Sequence, residues 1–471
     1  MITQNTINIL DGKKHIHMMG IGGSGMYPLT QMLHSKGFYI TGSDNNETDT
    51  LKAVRDMGIT VYPLGQRAEN IEGADLIIYT AAILPDNPEF VAAKASGVQM
   101  LERAELLGII TGWFDNAVCV SGTHGKTTVT SMITTILKNA GKDISAYIGG
   151  KLPIIGGSGC IGSSRTMVCE ACEFKDHFLH MHPDIVIINN IDEDHLDWFK
   201  NLDNIIDTFV KFGNMAGKCV IANCDDENTK KAVARIDRPV ISFGYSVTND
   251  WYASDIVREN GLKTTFSIYH KGEFFTKATL NIPGVHNVLN AVAAAAACYE
   301  SGATPEEIAQ GIEIFRGAKR RFDKYGEVNG ITVCDDYGHH PTELRVTLEA
   351  AMEMNFHNVW AVFQPFTFSR TALLLDEFAS ALSIPDKCVI TAIMGGREVN
   401  TYDIYDKDLG EKVEGAVYFP DEQDHDRNFE LTAQYVAEHA VPGDLVITMG
   451  CGDVNKCARL ILEKLSEKYG S

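Results

Sequence analysis

Short apolar runs recur along the chain at intervals long enough to hold a helix between each pair. HIHMMG, FYITGSD, ITVYPLG and DLIIYTAA fall between His15 and about Val120, separated by mixed segments. That rhythm predicts α/β alternation around a mainly parallel sheet, because a strand covered on both faces reads as a continuous apolar run and each parallel crossover needs a helix. A second set opens with AVCVSG at 117–122, continues through MVCEA and DIVIINN, and reaches GVHNVLNAVAAAAACYESG. Within it, residues 251–282 alternate apolar and polar positions, predicting an antiparallel insertion with turns at Asn260-Gly261 and Lys271-Gly272. A third set follows the basic stretch GAKRRFD: GITVCDD, VWAVFQ, CVITAIM and DLVITMG, with helical runs such as HPTELRVTLEAAMEM between them. No repeat or low-complexity tract interrupts this order.

Length and charge narrow the picture. A chain of 471 residues can form two to four domains, and the three sets of strands favour three. Asp and Glu number 62 against 41 Lys and Arg, a net charge of -21 that repels a phosphate backbone, so no nucleic-acid partner is expected. The eleven cysteines are scattered and odd in number, which favours reduced thiols and a cytoplasmic protein. MITQNTINILDGKKHIHMM lacks the design of a secretory signal, and no run approaches the roughly 18 to 20 apolar residues that span a bilayer. A soluble protein with no membrane partner is the expectation.

The sharpest chemical signal is Gly122-Thr123-His124-Gly125-Lys126-Thr127, which follows a strand and opens TTVTSMITTILKNAG. In that segment Val129, Met132, Ile133, Ile136 and Leu137 share one helical face, and Gly141 suits the helix end. Such a loop aims backbone N–H groups and a helix N-terminus at phosphates; Lys126 adds positive charge and the Thr127 hydroxyl suits magnesium. Val120 stands where the general phosphate-loop pattern has its first glycine.

A second glycine loop, Gly20-Ile21-Gly22-Gly23-Ser24-Gly25, lies between a strand and a helix, and Asp44 closes the next apolar run. The spacing fits a diphosphate on the loop and a ribose hydroxyl on the aspartate, as in a nicotinamide dinucleotide or a UDP-sugar; a plain packing turn is the alternative. Glu170 and Glu173 in MVCEACEF, and Asp192, Glu193, Asp194, His195 and Asp197 after IVIINN, gather beside the phosphate loop, where a nucleotide enzyme needs oxygen ligands for Mg2+. Cys169 and Cys172 form a C-x-x-C without a second pair at zinc spacing, and read as packing thiols.

In order along the chain, GTHGKT, Glu170, the DEDHLD segment holding His195, PGVHNVLNAVAA, and GAKRRFD followed by CDDYGHHPTE resemble the signatures of the Mur ligases, ATP-dependent amide-forming enzymes of cell-wall synthesis. The resemblance implies a Rossmann-like domain at 1–112 for the UDP end of the substrate, a P-loop ATPase-type domain at 113–318, and a Rossmann-like α/β domain at 319–471 that brings the amino acid. GIGGSGM and DDYGHHPTE are similar to the members that add L-alanine. The implied reaction joins L-alanine to the lactyl carboxylate of UDP-N-acetylmuramate through an acyl phosphate, with ATP and Mg2+, in a monomer or homodimer. A recycling ligase that adds a tripeptide to the same sugar, a nicotinamide-dependent dehydrogenase and a non-catalytic UDP-sugar or nucleotide-binding protein are the alternatives.

By the same resemblance Lys126 holds the outer phosphates, with Gly122, Thr123, His124, Gly125, Thr127 and Thr128 around the nucleotide. Thr127 and Glu170 match the ligands of one magnesium ion, and His195 with Glu170 those of a second. Asn287, Asn290 and Arg321 match nucleotide positions, and Asp336 matches an aspartate that reaches the nucleotide on domain closure; His286 and Arg320 read equally as structural. Gly20, Gly22, Gly23, Ser24, Gly25 and Asp44 are implied for the UDP-sugar, and Tyr337, His339 and Arg370 for alanine, with His339 also in the catalytic set. Many relatives have PHRYSRT where this chain has Pro365-Phe366-Thr367-Phe368-Ser369-Arg370-Thr371, which leaves Arg370 as the carboxylate clamp. Lys211 stands near the position of a carbamylated lysine in sister ligases and is not expected to be modified.

Overall fold

A computed structural model describes residues 7–470 apart from 260, 261, 397, 421 and 423. Among the described residues the strands form three sheets, and the α/β expectation holds in each. The first sheet has the order β3-β2-β1-β4-β5, with β1 His15–Met19, β2 Tyr39–Ser43, β3 Thr60–Val61, β4 Leu76–Tyr79 and β5 Gln99–Glu102, all parallel. Its strand order reverses between β1 and β4, the kind of switch point where doubly wound sheets open a crevice for ligands. The glycine loop 20–25 leaves the carboxyl end of β1 at that point.

The second sheet has ten strands: β6 Asn116–Ser121, β7 Ser145–Leu152, β8 Gly157–Cys160, β9 Thr166–Glu170, β10 Ile185–Ile188, β11 Cys219–Asn223, β12 Val240–Gly244, β13 Trp251–Glu259, β14 Lys263–His270 and β15 Glu273–Leu280. The order is β15-β14-β13-β12-β11-β10-β6-β9-β7-β8. The insertion predicted at 251–282 is therefore an extension of the main sheet, since β13 pairs in parallel with β12. Lys271 and Gly272 turn with φ 53° and 80°, as a tight hairpin demands; Asn260-Gly261 lies outside the described residues.

The third sheet has the order β16-β17-β21-β18-β19-β20, comprising β16 Asp323–Val328, β17 Ile331–Asp336, β18 Val359–Phe363, β19 Lys387–Ile390, β20 Val417–Tyr418 and β21 Leu445–Met449. Only its edge pair β16–β17 is antiparallel. By packing, the chain divides into two compact units: Met1–Ser254 with Ser267–Ala278 and Leu289–Ile314, and Asp255–Phe266 with Thr279–Val288 and Phe315–Ser471.

The helix Lys126–Asn139 shows why the phosphate loop is firmly seated. Val129, Met132, Ile133, Ile136 and Leu137 are each fully buried, as their spacing predicts, and Gly141 turns the chain out with φ 71°. Thr130, Thr134 and Thr135 donate their hydroxyls to carbonyls four residues back, so these polar side chains are buried at little cost.

Candidate functional site

Gly125 ends the phosphate loop in the left-handed conformation, φ 81°, immediately before the helix. A Cβ there would stand 2.5 Å from Asn189 Nδ2 and 2.8 Å from Asn290 Oδ1, so both the backbone angle and the space require glycine. Asn189 donates to Asn290 at 2.9 Å and to the His124 carbonyl at 3.0 Å, which ties the helix His286–Glu300 to the loop. The rest of the segment after β10 holds the loop as well. His124 N–H donates to Asn190 Oδ1 at 2.7 Å, Asp192 N–H to the Thr123 hydroxyl at 2.9 Å, and His124 Nε2 lies 3.0 Å from Asp192 Oδ2.

Lys126 Nζ donates to the carbonyls of Gly122 at 2.6 Å and Thr123 at 3.0 Å, and to Glu173 Oε1 at 3.0 Å. Burial pulls the lysine pKa down, but Glu173, then Cys172 and Glu170, outweigh it and hold the ammonium above its ordinary value. Thr127 donates its hydroxyl to Glu170 Oε2 at 2.8 Å, and Gly149 N–H donates to the same oxygen at 2.9 Å. These hard oxygen donors, one from the loop and one from the end of β9, suit Mg2+. His195 precedes the short helix Leu196–Phe199 with φ 54°; its ring lies 4.6 Å from that of Phe174, and Nε2 is 3.7 Å from Asp194 Oδ2. Thr128 is half-buried one position further along the phosphate-loop helix.

At the first glycine loop, Asp44 Oδ2 accepts from Gly22 N–H at 2.9 Å, so this carboxylate already braces the loop. Gly20 N–H donates to the Ser43 carbonyl, Gly23 N–H to the Gly20 carbonyl, and the Ser24 carbonyl accepts the Ser158 hydroxyl at 3.0 Å. A Cβ on Gly25 would lie 2.9 Å from the Tyr147 hydroxyl, which accepts from Arg103 at 2.6 Å. Residues of β7 and β8 thus close one side of the first loop.

In the second unit, Asp336 is buried, and its two oxygens accept from Phe322 N–H and Gly338 N–H, each at 2.8 Å. Burial pushes its carboxyl up, against the pull of Arg321 and those two N–H groups. Arg320 and Arg321 stack 5.0 and 5.2 Å from the Tyr337 ring centre. Arg320 also binds Asp335 and the carbonyls of Gly450 and Gly452, which is the structural role allowed for it from sequence. His339 lies 3.3 Å from Glu343 and edge-on to Tyr337. Arg370 sits in the helix Phe368–Leu373, whose first turn Thr367 caps, and its charge acts on Cys451 together with those of Glu343 and Arg320. Burial comes first in raising that thiol, to about 12. Tyr337 and His339 therefore stand together. Asn287 donates to the Pro283 carbonyl at 2.7 Å, and burial holds His286 down at about 4.

Three family models match the chain in order. Residues 15–114 match the Mur ligase family catalytic domain, 120–298 the Mur ligase middle domain, and 320–452 the Mur ligase glutamate ligase domain. The chain belongs to the Mur ligase family. A UDP-N-acetylmuramate–L-alanine ligase of Acetivibrio thermocellus is 42% identical over 467 residues, covering 97% of this chain and 98% of the relative. One of Lachnospira eligens is 43% identical over 458 residues, covering 95% and 98%. The solved UDP-N-acetylmuramate-alanine ligase of Thermotoga maritima aligns with a TM-score of 0.79 at 26% identity, over 97% of this chain and 100% of that one. A murein peptide ligase of Psychrobacter arcticus shares the fold, with a TM-score of 0.73 at 24% identity over 96% and 98%.

In this Mur ligase several site-building residues were not singled out from sequence. Asn189 and Asn190 grip the phosphate loop, and an apolar strand running straight into two amides, IVIINN, was the available signal. Arg103 and Tyr147, and the fully buried pair His17–Glu89 at 2.6 Å behind the first loop, had no local signal, because their partners are 44 and 72 residues away. Lys211 is exposed on the outer side of its helix.

Proposed function

We propose that this Mur ligase joins L-alanine to the lactyl carboxylate of UDP-N-acetylmuramate with ATP, supplying peptidoglycan precursor synthesis in the cytoplasm. The observation that carries the reading is the 42% identity to an L-alanine ligase across 97% of the chain. In the reaction the γ-phosphoryl group of ATP passes to the lactyl carboxylate, releasing ADP, and the amine of L-alanine displaces phosphate to leave an amide.

Residues 1–112 take the UDP end, with Gly20, Gly22, Gly23, Ser24, Gly25 and Asp44 lining it; residues 113–318 take the nucleotide and 319–471 the amino acid. The loop 122–128 cradles phosphates with its N–H groups, Lys126 balances their charge, and Asn287, Asn290, Arg321 and Asp336 complete the nucleotide set. Thr127, Glu170 and His195 are the proposed ligands of Mg2+, which when bound neutralises charge on the transferring phosphoryl group. Tyr337, His339 and Arg370 orient alanine, the guanidinium on its carboxylate, so that the amine faces the acyl carbon; the gain is chiefly positional. No described helix is long and apolar enough to cross a membrane, and a monomer or homodimer is the proposed assembly.

The test is phosphate and ADP release from purified protein given ATP, Mg2+ and UDP-N-acetylmuramate, with L-alanine or an L-Ala-γ-D-Glu-diamino-acid tripeptide as acceptor. Release with alanine is expected. Release with the tripeptide alone would assign the recycling reaction instead, and release with neither would leave a binding protein.

A further inference from the structure

Glu173 has no place in the mechanism above, yet it is one of the most deeply buried carboxylates in the molecule, 2% exposed. It follows β9 three residues after Glu170, and its Oε1 takes one of the three hydrogens of Lys126 Nζ at 3.0 Å. The other two go to the carbonyls of Gly122 and Thr123, so the ammonium is saturated by the protein itself. Its second oxygen, Oε2, is buried and accepts no hydrogen bond from any described residue. A buried carboxylate oxygen without a donor is costly, and it marks a group whose full set of partners is not made in this state.

A lysine with all three donors spent cannot also serve a phosphate. Some bond must be exchanged when nucleotide binds, and the acceptor that matches phosphate in charge and position is Glu173. We propose that Glu173 is a positioning residue that stands in for the nucleotide's phosphate oxygens: it holds Lys126 while the loop is free, gives it up when ATP binds, and recaptures it as ADP leaves. The exchange limits affinity, because each phosphate contact made by Lys126 is offset by an ion pair broken. It also keeps a buried cation from being stranded after product release, which would otherwise slow the departure of ADP.

This rests on the reading of GTHGKT as the nucleotide loop, and the experiment separates the two. ADP is titrated calorimetrically, with Mg2+, into the full-length protein and into Glu173→Gln, which keeps the shape and removes the competing charge. The variant should bind ADP roughly tenfold more tightly than the parent. A role confined to folding would weaken binding, so unchanged or weaker affinity overturns the proposal. In a Lys126→Met background the same substitution should leave ADP affinity unchanged, and tightening there would show that the effect does not pass through the lysine. Should Glu173→Gln not melt cooperatively, a crystal structure of the parent with ADP decides. Lys126 on a phosphate oxygen and away from Glu173 supports the exchange; Lys126 still paired with Glu173 refutes it. A parent protein that binds no ADP would remove the nucleotide reading itself.

Discussion

The loop after β1 and the loop after β6 share an outline of parallel strand, glycine turn and helix, but they are finished differently. The second loop runs directly into its helix at Lys126, contains a cation, and is gripped by the side chains of Asn189, Asn190 and Asp192. The first contains no cation of its own; its helix begins only at Tyr27, Asp44 already bonds Gly22 N–H, and the cation beside it, Arg103, is engaged by the Tyr147 hydroxyl. Behind it lies a buried network in which His17 bonds Glu89 at 2.6 Å and Ser43 donates to the same carboxylate at 2.6 Å. One backbone motif thus fits the two tasks proposed for it. N–H groups alone suit a diphosphate that is held and not cleaved, whereas a phosphoryl group in transfer needs added positive charge.

The largest test of this contrast is Lys126→Ala. Turnover of ATP should fall by roughly 10^2–10^3-fold or more while UDP-N-acetylmuramate still binds, as read by kinetics beside calorimetry. Loss of UDP-sugar binding in a folded variant would break the division of labour. Next in size is Glu89→Ala, which strands His17 in a fully buried site; urea unfolding should show a loss of about 3–5 kcal/mol with kcat retained in the folded fraction. A loss below about 1 kcal/mol would mean that the network is not a brace. The smallest is Asp44→Asn. It keeps the shape but weakens both the loop bond and any bond to a ribose, so the KM for the UDP-sugar should rise about tenfold with the KM for ATP unchanged. Equal changes in both would place Asp44 outside the sugar site.

How much of this could be read beforehand follows from distance along the chain. The phosphate-loop helix is legible because its apolar face is local: the five apolar residues at helical spacing are all fully buried, with Thr130, Ser131 and Thr134 buried beside them. The edge strands β8, β16 and β20 carry no such signal, being short or half-exposed, with no continuous apolar run to announce them. The insertion at 251–282 was legible as a hairpin, but its union with the main sheet through β12 was not, because strand neighbours are chosen by packing. At the site, the family resemblance implies that Thr127 and Glu170 stand together, and they meet at 2.8 Å. That Glu173 claims Lys126, and that Asp44 is tied to Gly22, could not be seen from one position at a time.

The sequence by itself determined the alternation of strands and helices, the two glycine loops, the acidic surplus and the family, since each is written in local periodicity, composition or a contiguous motif. Tertiary structure alone decided the order of ten strands in the central sheet, the partner of each buried charge and the state of the phosphate-loop lysine. Those outcomes depend on which of several chemically equivalent carboxylates and amides the fold brings within about 3 Å, where hydrogen bonds become strong enough to select among them.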